Sequence, residues 1–260
     1  MSSPNPPRFA AIEELLAPET VRALLGLPEG AWRVRRTSIE GGLSGARLER
    51  ITIQNGDRSA NAVLKQIDPQ TNWLMRASGD RMGREIAFTQ SAIWTRMPEP
   101  IQVPILAVVP GAHGAGALLM PDLTPVIYPS SLCYEPADEG LVARIIDHLA
   151  AMHATFWEVP ELREAPWLAT AADAFFTLTL ERLNDAADAV PDEDTYGDQA
   201  LRMWPFLWRF VDGADGSAIW RTLMHPDALL AAAQSAPTTL AHGDTWVANM
   251  GGLAPTELHD

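Results

Sequence analysis

Lysine is almost missing from this chain. Of its 19 basic residues one is a lysine, Lys65, and the others are arginines. Exposed positions accept either cation, so a drift toward arginine empties a surface of lysine freely. A position that needs a compact ammonium on a thin stem resists, because a planar guanidinium does not fill the same space. Cysteine is equally scarce. The lone Cys133 excludes an internal disulfide and suits a reducing compartment. No apolar run approaches the ~20 residues of a membrane span. The opening Met1 to Phe9 shows no basic segment followed by an apolar one, the pattern of an export signal. The expected location is the cytoplasm. Positive charge is short overall: the net charge is −14. That disfavours nucleic acid and anionic membranes as partners. An acidic surface keeps a protein soluble, and it would also suit a cationic substrate. No protein partner is implied.

What is present reads as globular. Apolar residues make up 47% of the 260, enough for a sizeable core. Met1 to Pro7 is rich in Ser, Pro and Asn and reads as disordered. Phe9 to Leu25 has helical apolar spacing broken near Pro18, which predicts two short helices, the second stopped by Gly26 and Pro28. Strand patterning follows at Trp32 to Ile39, at Ala46 to Ile53 and at Ala60 to Ile67, with an Asn55-Gly56 hairpin signal between the last two. Lys65 lies in the third strand. The first turn holds Gly41, Gly42, Ser44 and Gly45. Glycines there let backbone N–H groups approach phosphate oxygens, and Ser44 can add a hydroxyl. A hairpin turn explains the same glycines without any ligand.

Asp80 to Thr95 predicts a helix that carries Glu85, twenty residues after Lys65. Val103 to Val109 and Ala117 to Met120 predict two more strands, joined by a turn with His113 as a loop residue. Glu139 to Trp157 is the clearest amphipathic helix. His148 and His153 stand five apart, off a common helix face, and so make a poor metal pair. Further helices are predicted over 166–190, 198–211, 216–224 and 226–233. Thr238 to Ala241 predicts a short strand feeding His242-Gly243-Asp244-Thr245-Trp246-Val247-Ala248-Asn249-Met250.

The form His-Gly-Asp-x-x-x-x-Asn resembles the catalytic loop of small-molecule kinases of the aminoglycoside phosphotransferase and choline kinase type. Other segments resemble the same family in the same order: Arg84-Glu85-Ile86-Ala87-Phe88, Leu118-Leu119-Met120-Pro121-Asp122-Leu123, and Leu149-Ala150-Ala151-Met152-His153-Ala154-Thr155-Phe156-Trp157. The resemblance covers roughly Gly41 to Met250. It implies an α+β, bilobal protein-kinase-like fold. An N-terminal nucleotide-binding lobe (1–121) would hold an antiparallel sheet plus a helix, and a mainly helical lobe (122–260) would hold the catalytic loop. The implied activity is ATP-dependent, magnesium-dependent phosphoryl transfer to a hydroxyl of a small molecule: an aminoglycoside, amino alcohol or sugar.

By that resemblance Asp244 aligns the acceptor hydroxyl and takes its proton, Asn249 ligates Mg2+, and His242 buttresses the loop. Gly41, Gly42, Ser44 and Gly45 cover the phosphates, and Lys65 holds them, itself placed by Glu85. Met120, Pro121 and Leu123 form the adenine hinge, with the Pro121 carbonyl accepting and the Leu123 N–H donating. Asp122 either reaches a ribose or caps the next segment, and the cap is the favoured role. Trp204, Phe206, Trp208 and Trp220 either line an acceptor pocket or pack in the core.

The family's second metal-binding Asp has no good counterpart. Asp260 falls near the right distance but follows a poor strand. The expectation is a C-terminally truncated and therefore incomplete second lobe, possessing little activity of its own. The alternative is a nucleotide-binding pseudoenzyme or regulatory module of the same fold.

Overall fold

The computed structural model describes residues 4–39, 46–129, 138–170, 227–243 and 249–252. Within them the protein is a mixed α/β structure built around one five-stranded antiparallel sheet. Two short helices come first, α1 (Ile12–Leu15) and α2 (Pro18–Leu24). Pro18 takes the first helical position of α2, where its missing N–H is harmless.

Strands β1 (Arg33–Ile39), β2 (Arg47–Asn55) and β3 (Arg58–Ile67) form a meander. The β2–β3 turn centres on Gly56-Asp57, one residue later than the Asn55-Gly56 pair suggests. Asn55 pairs with Arg58, and Gly56 takes a left-handed φ of 57°. Hairpin turns favour glycine at that first central position. Strands β4 (Ala107–Pro110) and β5 (Gly116–Pro121) complete the sheet in the order β1-β2-β3-β5-β4. The β4 edge is covered by the N-terminal segment. Val108 N donates to Pro7 O at 3.0 Å and Phe9 N to Val108 O at 2.9 Å. An edge paired in this way no longer invites another strand.

Alternation sorts the sheet into two faces. On one face Ile51, Ile53, Ala62, Leu64, Ala117 and Leu119 pack with Leu15, Leu16 and Val21 of the leading helices and with Trp32. On the other, Ile67, Val108 and Leu118 pack with Met75 and Ile86. Those two come from helices α3 (Trp73–Ala77) and α4 (Arg84–Thr89).

The helix expected over Asp80 to Thr95 is much shorter in the fold. Gly83 at φ 66° stops it from extending backward. At its other end Thr89 and Ser91 hydroxyls donate to the Ile86 and Phe88 carbonyls, a competition with the backbone that ends helices. A single 3-10 turn, Trp94–Arg96, follows. Helix α3 has no clear sequence periodicity. It begins because Asn72 accepts the Met75 N–H at 3.0 Å, an N-cap.

Beyond the sheet, α5 (Glu139–Thr155) starts at Asp138, whose carboxylate accepts the Leu141 N–H at 3.0 Å. Two short helices complete the described part, α6 (Pro160–Glu164) and α7 (Asp227–Ser235). Pro166 to Thr170 is turn and coil rather than the start of a helix. The rest of that expected helix lies outside the described residues. So do the helices expected over 198–211 and 216–224, with Trp204, Phe206, Trp208 and Trp220. Thr238 to Ala241 joins no sheet among the described residues. Two of its polar groups go to the end of α5 and the turn after it instead: Glu158 N donates to Thr238 O at 2.7 Å, and the Thr239 hydroxyl to His153 O at 2.8 Å. Among the described residues no helix is long and apolar enough to cross a membrane.

Candidate functional site

Cross-strand register defines the surroundings of Lys65. One row across the sheet reads Ile39, Leu48, Lys65, Leu118, Val108; the next reads Thr37, Arg50, Val63, Met120. Parity places all of them on the face that α4 partly covers. Leu118 and Val108 lie buried beneath α4. Ile39, Leu48, Val63 and Met120 remain half-buried. The lone ammonium therefore sits between a closed core and a partly open apolar surface.

Lys65 Nζ donates to Glu85 Oε1 at 2.6 Å. The lysine side chain is 23% exposed and the glutamate 48%. A pair this wet adds at most about 1 kcal/mol to stability. Its effect is to fix where the ammonium points.

The placement of Glu85 depends on how α4 is docked. Asp80 accepts the Met82 and Arg84 N–H groups at 3.2 and 3.0 Å. Arg84 Nη2 donates to Ser78 O at 2.8 Å, and Arg84 Nε to Trp167 O at 3.1 Å. Gly83 lies so near the β4–β5 turn that an added Cβ would stand 2.3 Å from Gly114 O. Ile86 anchors the helix to the sheet. Phe88, on the same helix, packs against a second cluster of Ile93, Met152, Phe156 and Leu162, which also receives Leu240. The helix thus ties the lysine strand to the segment leading into His242-Gly243.

The glycine-rich turn, with Gly41, Gly42, Ser44 and Gly45, lies outside the described residues. Its two stems do not: Ile39 and Leu48 pair, and Leu48 pairs with Lys65. The turn springs from the row that holds the ammonium. Asp244 also lies outside the described residues, as does Asp260. Gly243 precedes Asp244 with a φ of 82°, a left-handed conformation glycine adopts without strain.

Asn249 is exposed. The chain just after it is held against the segment that follows β5. Tyr128 N donates to Met250 O at 2.9 Å, Gly252 N to Val126 O at 3.1 Å, and Ile127 bridges Gly251. So Lys65 and Glu85 are brought into contact, and the neighbours of Asn249 are brought to the stretch after Leu123.

Met120 and Pro121 close β5 opposite Val63 and Ala62. Leu123 O accepts from Val126 and Ile127, both at 2.9 Å. Among the described residues no backbone carbonyl accepts the Leu123 N–H. Asp122 folds back on Thr124, accepting its hydroxyl at 2.5 Å and its N–H at 3.1 Å. Those bonds, above all the hydroxyl, hold its carboxyl below the usual range, with help from Arg50 at 3.6 Å. Asp122 therefore caps the turn that follows it.

Family models, curated proteins and solved structures gave no match.

Several contributors carry no motif. Ile39, Leu48 and Val63 become neighbours of Lys65 only through strand pairing. Period-two alternation could mark their face, but not which rows align. Asp80, Gly83 and Gly114 position α4, and nothing in their local sequence announces it. Among the described residues no group of three or more His, Cys, Asp or Glu could hold a metal ion.

Proposed function

We propose that this chain is a phosphotransferase of the small-molecule kinase type, bilobal and protein-kinase-like, moving the γ-phosphoryl group of ATP to an alcohol. One observation carries the reading: the only lysine of the chain is held at 2.6 Å by a helix carboxylate, beside a half-buried apolar surface. That is the chemistry a nucleotide needs: an apolar ceiling of Ile39, Leu48, Val63 and Met120 for a base, and an oriented cation for its phosphates. The Leu123 N–H, which no backbone carbonyl takes among the described residues, suits a ring nitrogen of the base. The glycine turn, rooted in the lysine's row, suits a cover over the phosphates.

Magnesium asks for only one or two protein oxygens beside those of the phosphates. The Asn249 side-chain oxygen fits as one. When bound, the nucleotide and its metal supply the transferable phosphoryl group and neutralise charge on it. Asp244 would orient the acceptor hydroxyl and receive its proton as that oxygen bonds the γ-phosphorus and the bridging oxygen leaves with ADP. Lys65 steadies the phosphate oxygens.

A single lysine makes the test sharp. Magnesium-ATP should protect Lys65 from an amine-directed acylating reagent, scored by peptide mass with the α-amino group as internal reference. ADP release with a panel of aminoglycosides, amino alcohols and sugars is expected to be small in this chain, and whatever appears should vanish in Asp244→Asn. Protection without turnover by any acceptor would favour a nucleotide-binding module. Labelling of Lys65 that magnesium-ATP leaves unchanged would overturn both.

A further inference from the structure

Farther along the same sheet face the register changes character. After the row of Thr37, Arg50 and Val63 comes Arg35 with Thr52 and Asn61, then Arg33 with Gln54 and Ser59. Arg33, Arg35, Thr37, Arg50, Thr52 and Gln54 of this face, with Ile39 at one end and Val34 and Ser38 of the edge strand, line an open groove of about 640 Å³, with no carboxylate among its lining residues. That is the size range of a small-molecule pocket.

Charge makes the groove unusual. The chain carries −14 overall, yet three guanidiniums alternate here along two paired strands. Among the described residues neither Arg33 nor Arg35 has an acidic partner. The arginine that follows them, Arg36, falls on the opposite face and is forked onto Glu49, at 2.6 and 3.0 Å. Among the described residues the acidic neighbour of Arg50 is Asp122, whose Oδ2 stands a long 3.6 Å away while its Oδ1 takes the Thr124 bonds.

We propose that this groove is an anion site for a phosphate-bearing small molecule. Guanidinium forks match phosphate oxygens in pairs. The Thr37 hydroxyl adds a neutral donor, and Gln54, whose amide gives one N–H to Gly56 O, adds its second, while the Thr52 hydroxyl is taken by Asn61. The groove's near end is Ile39, in the lysine's own row, and its far end is Arg33, six residues and about 20 Å along the strand. A pyrophosphate held between Arg33 and Arg35 at the far end cannot also reach Lys65, so that end does not depend on the phosphotransfer reading.

The test titrates the full-length chain with inorganic pyrophosphate at low salt by calorimetry. Saturable binding is expected in the parent and in Lys65→Ala. It should weaken at least tenfold in the double variant Arg33→Gln/Arg35→Gln, and weaken steeply with added salt. Both arginines are exposed, so the double variant should keep its fold, which circular dichroism checks. Arg35→Gln alone gives a second reading with a smaller loss. Binding that survives in the double variant but disappears in Lys65→Ala would assign the anion to the lysine and overturn the proposal. So would double-variant protein that aggregates more readily while binding pyrophosphate as before, because the arginines would then only guard an edge strand. Absence of saturable binding in the parent would overturn it as well.

Discussion

Glu85 Oε1 sits 2.6 Å from Lys65 Nζ, a contact made between β3 and α4 across a core that neither residue enters. Being partly exposed, the pair does little for stability. Lys65→Ala and Glu85→Gln should each shift the free energy of unfolding by about 1 kcal/mol or less. On the proposed function, each should weaken magnesium-nucleotide binding at least tenfold. Urea unfolding and fluorescence titration separate the two effects. A large stability loss with unchanged nucleotide binding would make the pair merely structural.

Gly83 meets the backbone of Gly114, and its φ of 66° is one that L side chains rarely adopt. Gly83→Ala should destabilise the fold by about 1–3 kcal/mol through strain and steric conflict. It should also shift α4 outward, so that Lys65 loses its partner and acylates faster in the native protein. An unchanged labelling rate would show that α4 is positioned by Ile86 and Asp80 instead.

Glu49 is buried on the opposite sheet face, where Arg36 forks onto it and Gln66 Nε2 donates at 2.8 Å. The Arg36 hydrogen bonds hold its carboxyl below the ordinary value of 4.5. A carboxyl lowered by folding stabilises the fold fully above pH 4.5, and that contribution is lost as the pH falls through its lowered value. Glu49→Gln should remove this part of the acid dependence. It should also lower stability at neutral pH by about 1–3 kcal/mol. Thermal melts from pH 3 to 7 check both points.

Phe156 is fully buried, in the cluster that joins α4, the end of α5 and Leu240, and Arg96 lies 5.4 Å over its ring. Phe156→Ala should cost about 3–5 kcal/mol. Because Leu240 shares the cluster, amides at Ala241 to Gly243 should exchange faster with solvent than in the parent. Hydrogen exchange read by mass spectrometry tests it. A stability loss with no change in that segment would mean the backbone bonds of Thr238 and Thr239 suffice to hold it.

Much of the local structure is legible in the residues. Pro18 and Gly26 bracket α2, Gly56 turns the β2–β3 hairpin, and apolar spacing marks α5. Element boundaries depart from the local pattern where tertiary contacts intervene. The helix around Glu85 looks sixteen residues long by pattern, yet its regular part has six, because Gly83 folds against a distant turn. Thr238 to Ala241 looks like a strand, yet Thr238 and Thr239 bond to the end of α5 and the turn after it.

The candidate site divides in the same way. Lys65 stands out by being alone, and Glu85 by its helical setting twenty residues on. By itself the sequence determined which residues could carry charge, turn the chain or enter a core, since those are properties of side chains and near neighbours. Only the tertiary structure decided that Lys65 meets Glu85, that Ile39, Leu48, Val63 and Met120 share its face, and that Arg33 and Arg35 line the far end of that face. Strand register and helix docking are settled by packing among segments far apart in the chain, and no local pattern contains that information.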